Sequence, residues 1–270
     1  MTDGDRKGRH RRGIRKAAAE RRMAIAASAA AQTVDKALDK AIDEEDLALA
    51  EVDCATQSAR SDKSLIIACG ALAREILAIC EINNLHHIQL RCLPATLHNR
   101  PDAIPDRLRS ALERAKREGW GHIFVGYADC GTGGLIDKVC EAFAVPRIAG
   151  PHCYAFFDGL RAFDARHDAE RGAFYLTDFL VNQFETLIWR GLGLHKAPEL
   201  RDVYFGNYDR VVYLAQTDNP KLDADAQCAA QLLDLAYEKR FTGYGGLEDF
   251  LLESNNLRAS SNEIFAERRK

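Results

Sequence analysis

Residues 122–134 read HIFVGYADCGTGG, and the fold follows from how this stretch is parsed. Ile123, Phe124 and Val125 form a short apolar run closed by Gly126, which predicts a buried strand. Asp129 and Cys130 come next. Gly131, Gly133 and Gly134 then lead into a helical pattern that starts at Leu135. A strand that ends in glycine-rich backbone and feeds a helix is the repeating unit of a parallel α/β sheet. Such sheets bind ligands at the carboxyl ends of their strands, so a cysteine there is a candidate for chemistry. Two stretches share the form: LIIACGALA at 65–73 and RIAGPHCY at 147–154, each an apolar run reaching Gly and Cys.

Outward from that unit, the chain alternates strand and helix patterns. Strands are predicted over 65–68, 87–90, 123–125 and 145–149 in a first half, and over 174–176, 210–215 and 239–244 in a second. Helices are predicted over 71–81, 106–118, from Leu135 onward, and over 179–190, 224–235 and 246–252. Pro94, Pro101 and Pro105 mark CLPATLHNRPDAIPDRL at 92–108 as an ordered loop leading into the 106–118 helix. The expected fold class is α/β: a Rossmann-like parallel sheet or sheets with flanking helices. LIIACGALAREI and FYLTDFLVNQFE echo each other, as do FVGYADCGTGG and VYLAQTDNPKL. The echo suggests two pseudo-repeated lobes, 63–170 and 171–254, with a ligand cleft between them. Residues 255–270 read as a polar tail.

Residues 1–62 differ in kind. Met1 to Arg22 hold nine Lys or Arg against three acids, alanine-rich sequence follows, and no aromatic appears. Such a segment buries too little apolar surface to fold alone, so a disordered or weakly helical extension is expected, with a basic targeting or RNA-binding arm as the alternative. The net charge of −3 argues against nucleic-acid binding by the whole chain. No apolar stretch approaches the roughly 18 residues of a membrane span. No secretory signal is visible, and a cytoplasmic protein with reduced thiols is expected.

Eight cysteines fall at 54, 69, 80, 92, 130, 140, 153 and 228. None makes a CxxC pair, so any metal site must be assembled from separate strand ends. Cys69, Cys130 and Cys153 each follow a predicted strand beside or close to glycine, and three thiolates suit zinc or an iron–sulfur cluster with one open iron. His98 and His152 are candidates for a fourth ligand or a proton carrier. The structural alternative is three buried cysteines acting as small hydrophobes. Asp129, Asp178 and Asp218 sit at strand ends as bases or ligands, or as helix caps. The loop Gly131, Thr132, Gly133 and Gly134 opens a helix and offers N–H groups to an anion, and Arg100 has the fork to clamp a carboxylate or phosphate. Tyr127, Tyr154, Phe156 and Phe157 form an aromatic wall beside the thiols, or pack the core.

Seven motifs in order carry a resemblance: ACGALARE (68–75), LPATLHNRP (93–101), GYADCGTGG (126–134), GPHCYAFF (150–157), FYLTDF (174–179), YFGNYDRVVYLAQT (204–217) and TGYGGLE (242–248). Together they resemble the bacterial and archaeal domain of unknown function 1638, over roughly residues 64–250. The resemblance implies genes beside corrinoid-dependent methyltransferases, and so a corrinoid protein or methyltransferase as partner. It supplies no catalytic residues. Three functions are in view. One is a metal-thiolate protein in corrinoid-linked one-carbon metabolism, with zinc as Lewis acid or an iron–sulfur cluster. The second is a non-catalytic module binding a corrinoid, a folate or a methyltransferase. The third is a hydrolase or transferase with Cys130 as nucleophile and His152 as base, ranked last because no residue orienting that histidine is recognisable.

Overall fold

A computed structural model of the chain describes residues 50–52, 63–166 and 168–267. The extension expected over 1–62 therefore lies outside the described residues, apart from a three-residue edge strand, β1 (Ala50–Val52). From Ser64 the chain behaves as the apolar runs dictate. SLIIAC forms β2 (Ser64–Cys69), buried along its whole length because both faces of a parallel sheet are covered. A 3-10 turn at Gly70–Leu72 passes into α1 (Ala73–Ile82). Gly70 allows a close approach there: a Cβ would lie 3.1 Å from the Leu93 carbonyl oxygen. β3 (Ile88–Leu93) runs three residues further than its sequence pattern suggests, because Arg91 is buried within it and ion-paired to Glu118 at 2.6 Å. The proline-rich stretch folds into two short 3-10 turns, Ala95–Asn99 and Pro101–Ala103, then α2 (Ile104–Arg117). β4 (His122–Gly126) and α3 (Leu135–Phe143) complete the opening unit.

The first sheet has the order β1-β3-β2-β4, with β2, β3 and β4 parallel and β1 antiparallel at the edge. The strand expected at 145–149 shrinks to a single parallel bridge between Val125 and Arg147. Its backbone is prolonged instead by loop pairing: the Asp129 N–H donates to the Gly150 carbonyl (2.9 Å) and the Cys130 N–H to the Pro151 carbonyl (2.8 Å).

Two short helices that the sequence pattern does not signal follow, α4 (Ala155–Asp158) and α5 (Leu160–Arg166). The second sheet then forms from β5 (Ala173–Thr177), β6 (Arg210–Ala215) and β7 (Ala236–Phe241), all parallel in the order β5-β6-β7. After β5 the expected single helix is split into α6 (Asp178–Asn182) and a π-helical segment, Phe184–Arg190. The short α7 (Leu200–Phe205) precedes β6. α8 (Pro220–Leu233) starts at the Asn219 cap, whose side chain accepts from the Lys221 N–H at 3.0 Å. α9 (Gly245–Glu267) continues as helix through most of the stretch read as a polar tail.

Two three-stranded parallel sheets with flanking helices make this a Rossmann-like α/β fold. The halves share their strand–helix unit but not their topology. The first strand of the first half is central in its sheet, whereas β5 lies at an edge. The halves also interlock. Phe163 of α5 packs with Tyr175, Val212 and Leu214 on one face of the second sheet, while α9 returns to pack on α1 and α4. One apolar core runs through both halves, from Ile66 and Phe124 to Leu176, Tyr213 and Leu251. Among the described residues no helix is long and apolar enough to cross a membrane.

Candidate functional site

The carboxyl ends of β2, β4 and β5 face one cavity of about 560 Å³, part of it open to solvent. Cys69 is the last residue of β2, Tyr127 follows β4, and Thr177 ends β5. All three line the cavity, as do Cys130, Cys153, His98 and His152. The three cysteines, 84 residues apart from first to last in sequence, come together because the loops after β4 and after the Val125–Arg147 bridge run beside the end of β2. Cys130 adopts a left-handed backbone conformation (φ 47°) between the clamps that its own N–H and that of Asp129 make to the 150–151 backbone. That conformation brings its Sγ to 3.3 Å from the Sγ of Cys153.

The sulfurs are electrostatically linked. The Cys69 thiol is held below its usual pKa, first by a hydrogen bond from the Cys153 thiol, with the Ala71 N–H and the Tyr127 hydroxyl adding to it and burial opposing it. Cys153 is pushed well above the usual thiol range by its contacts with Cys130 and Cys69 and by burial. Proton and charge are thus unequally divided, with Cys69 the site that favours thiolate. Tyr127 is raised by burial and by the neighbouring sulfurs, so it remains a neutral hydroxyl donor. Cys92 on β3 also feels Cys69, but burial drives its pKa far up and it does not line the cavity. Burial likewise raises Cys140 to about 11, away from the site on α3.

His98 sits at the cavity rim on the first 3-10 turn, and desolvation lowers its pKa, which favours the neutral imidazole. His152 is half-buried and stacks on Tyr154, with ring centroids 4.9 Å apart and planes 9° from parallel. Tyr154 in turn stacks on Tyr175 of β5, so an aromatic column runs from the thiol loop into the second sheet. Of the expected aromatic wall, Tyr127, Tyr154 and Phe157 line the cavity while Phe156 packs the core.

The glycine loop and Asp129 need correction. The N–H groups expected to hold an external anion point at Asp129 instead. Its carboxylate accepts from the Thr132 hydroxyl (2.7 Å), the Gly134 N–H (2.7 Å) and the Gly133 N–H (3.1 Å). Burial opposes its ionisation, but these bonds and one from Gly131 outweigh it and hold the carboxyl below the usual carboxylate range. Asp129 is therefore the loop's built-in anion and the structural clasp of α3, not a free base. Gly131, Gly133 and Gly134 all have positive φ, which a tight closed loop requires. Arg100 is exposed and does not line the cavity. Asp178 is buried and knits the second sheet: it accepts from the Tyr213 hydroxyl (2.7 Å), the Gln216 N–H (3.0 Å) and the Thr217 N–H and hydroxyl (3.0 and 2.5 Å). Helix capping falls to its neighbour Thr177, which accepts from the Leu180 N–H, and Asp218 is exposed beside the Asn219 cap.

The sequence pointed to a cleft between the halves but not to the apolar residues that the second half contributes to it. Phe179, Leu180 and Leu187 line it. Leu187 does so from the π-helical segment, and its carbonyl accepts from the Asn99 side chain at 3.2 Å. That bond ties the His98 turn to the other half. A π-turn is a frequent mark of a functional site, but nothing in the local sequence announces it.

Among the described residues, no group of three or more His, Cys, Asp or Glu side chains is placed so that it could hold a metal ion. Two sulfurs on one tetrahedral zinc stand about 3.8 Å apart, given Zn–S bonds of about 2.3 Å, and Cys130 and Cys153 are closer than that. These two thiols are in hydrogen-bonding contact with each other.

Fold and site together define an α/β protein with a three-thiol cavity between the carboxyl ends of two parallel sheets. Residues 92–251 match the family model described as "Protein of unknown function (DUF1638)", more than half of the chain, and the chain belongs to that family. Cys130 and Cys153 fall inside the matched residues and Cys69 precedes them. No curated protein and no solved structure matches the chain.

Proposed function

We propose that the cavity is a thiolate metal site, with Cys69, Cys130 and Cys153 as ligands and zinc as the ion. The carrying observation is the convergence of three sulfurs in one cavity, from the end of β2, the loop after β4 and the loop after the Val125–Arg147 bridge, two of them 3.3 Å apart. Buried cysteines serving only as small hydrophobes have no need to contact one another beside a solvent-connected cavity. Cys69, inclined to thiolate, is the natural first ligand. His98 and His152 are the fourth-ligand or proton-carrier candidates. Bound zinc would act as a Lewis acid or hold a substrate thiol as thiolate. The apolar walls from Leu72, Phe157, Phe179, Leu180 and Leu187 favour a small substrate with little charge. A corrinoid-linked one-carbon role, with a corrinoid protein or methyltransferase as partner, is supported by the family resemblance alone.

The test is anaerobic purification followed by elemental analysis and a visible spectrum on the same sample. About one zinc per chain without colour is expected, lost when Cys69, Cys130 and Cys153 are all changed to Ser. Iron with sulfide and visible absorbance would replace zinc by a cluster at the same residues. Metal content unchanged in the triple variant sinks the proposal. Metal-free protein that still binds a corrinoid or folate would establish the non-catalytic reading instead.

A further inference from the structure

We infer that Cys130 and Cys153 form a redox-active dithiol that reduces small, uncharged disulfides entering the cavity and closes into a reversible intramolecular disulfide. This goes beyond the metal proposal and does not depend on it. The sulfurs are 3.3 Å apart, so closure to a bond of about 2.05 Å asks for little more than 1 Å of travel. The backbone is already arranged for it. The Asp129 and Cys130 N–H groups are hydrogen-bonded to the Gly150 and Pro151 carbonyls, which fixes residue 130 beside the segment that carries Cys153. The two positions also differ in access. Cys130 is partly exposed, whereas Cys153 is buried. An incoming disulfide therefore meets Cys130 first, and Cys153 is placed to resolve the product.

The exchange balances within the named groups. Cys130, as thiolate, attacks one sulfur of the substrate disulfide; its S–S bond breaks and the departing thiolate takes up a proton. Cys153 then attacks the Cys130 sulfur of the mixed disulfide and expels the second substrate thiol. Two cysteine thiols are oxidised to one disulfide, one substrate disulfide is reduced to two thiols, and the two cysteine protons end on them. The apolar lining from Leu72, Ala95, Phe179 and Leu187 favours an uncharged substrate.

The test uses full-length reduced protein stripped of metal with a chelator and treated with 2-hydroxyethyl disulfide. Trypsin separates the pair onto peptides 118–138 and 148–161, each holding a single cysteine, so mass spectrometry after alkylation reads the linkage directly. Exposed Cys228 is the internal comparator for an ordinary surface thiol. The expected result is a 118–138 to 148–161 cross-link forming at least tenfold faster than Cys228 is modified, and reversed by dithiothreitol. In Cys153→Ser the adduct on Cys130 should persist unresolved. A persistent adduct on Cys130 in the wild type, a Cys69–Cys153 link, or reaction at Cys228 alone overturns the inference. Circular dichroism of each variant separates misfolding from lost chemistry. Adding zinc before the disulfide distinguishes the two proposals: protection of the pair supports the metal site, and an unprotected pair that still cross-links supports the dithiol alone.

Discussion

Glu75 is 4% exposed, on the first turn of α1, and one of its carboxylate oxygens has no hydrogen-bond partner among the described residues. Burial raises its pKa to about 8, opposed by its own backbone N–H and reinforced by the charge of Asp178. At neutral pH the folded protein therefore carries this carboxyl protonated. Below the ordinary value of 4.5 both folded and unfolded chains hold the proton. Between there and about 8 the unfolded carboxyl is ionised and the folded one is not, so stability falls as pH rises, by about 1.4 kcal/mol per unit at most. Glu75→Gln keeps the shape and removes the proton. It is expected to leave the melting temperature little changed near pH 4.5 and to raise it at pH 8, by an amount on the order of a few kcal/mol in stability. Melting curves of both proteins across that range decide it; parallel pH profiles would mean that Glu75 ionises freely in the fold. Such a residue was invisible in the sequence, where Glu75 reads as a first-turn acid favoured by the helix dipole. That Cys69, Cys130 and Cys153 lie close together could be anticipated, because each follows an apolar run that ends at the same edge of a parallel sheet. The fate of Asp129 was not, because whether loop N–H groups face a ligand or a neighbouring carboxylate is settled by dihedral angles and not by composition.

The same division holds for elements. β2, β4, β5 and β6 could be read within a residue or two, since short β-branched runs bounded by glycine or polar residues have few other solutions. β3 and β7 were displaced or clipped. Arg91 ends the apparent apolar run yet lies buried with Glu118, and the pattern of β7, AYEKRF, alternates weakly because that strand is the partly exposed edge of its sheet. The break between α6 and the π-helical segment was hidden because FETLIWR has ordinary helical periodicity; tertiary contacts select the wider turn. One such contact is testable. Asn99 donates to the Leu187 carbonyl, the hydrogen bond that links the His98 turn to the π-helical segment. Asn99→Ala leaves that carbonyl without this donor, for an expected loss of about 1 kcal/mol. The local consequence should be larger than the global one: backbone amides around residues 95–100 are expected to exchange with deuterium several-fold faster, with β2 and β4 unchanged. Identical exchange in the turn would show that packing alone holds His98 at the rim.

At the scale of the molecule, two sheets of different strand order share one core, and the chain crosses between them twice. α5 leaves the first half to cover the second sheet, and α9 leaves the second half to cover α1. Leu247 and Leu251 of α9 are completely buried in the shared core, and Glu248 accepts from the Asn83 side chain at 3.0 Å across the same contact. Gly245 at the start of α9 admits no side chain, because a Cβ would meet the Phe157 carbonyl oxygen at 2.2 Å and its φ is positive. A chain of this length is large for all-or-none unfolding, and two sheets joined by a single linker would melt in two steps. The crossed helices couple them, so one transition is expected, with near-ultraviolet and far-ultraviolet signals coincident. Leu251→Ala removes a buried side chain at the crossing and should reduce stability by about 2–5 kcal/mol. It should do so by shifting the whole transition, since the lost packing belongs to both halves. If instead only part of the signal moves and a second step appears at the original temperature, α9 stabilises one sheet alone. The cavity between the sheet ends would then lie across a flexible seam, not inside a single cooperative unit.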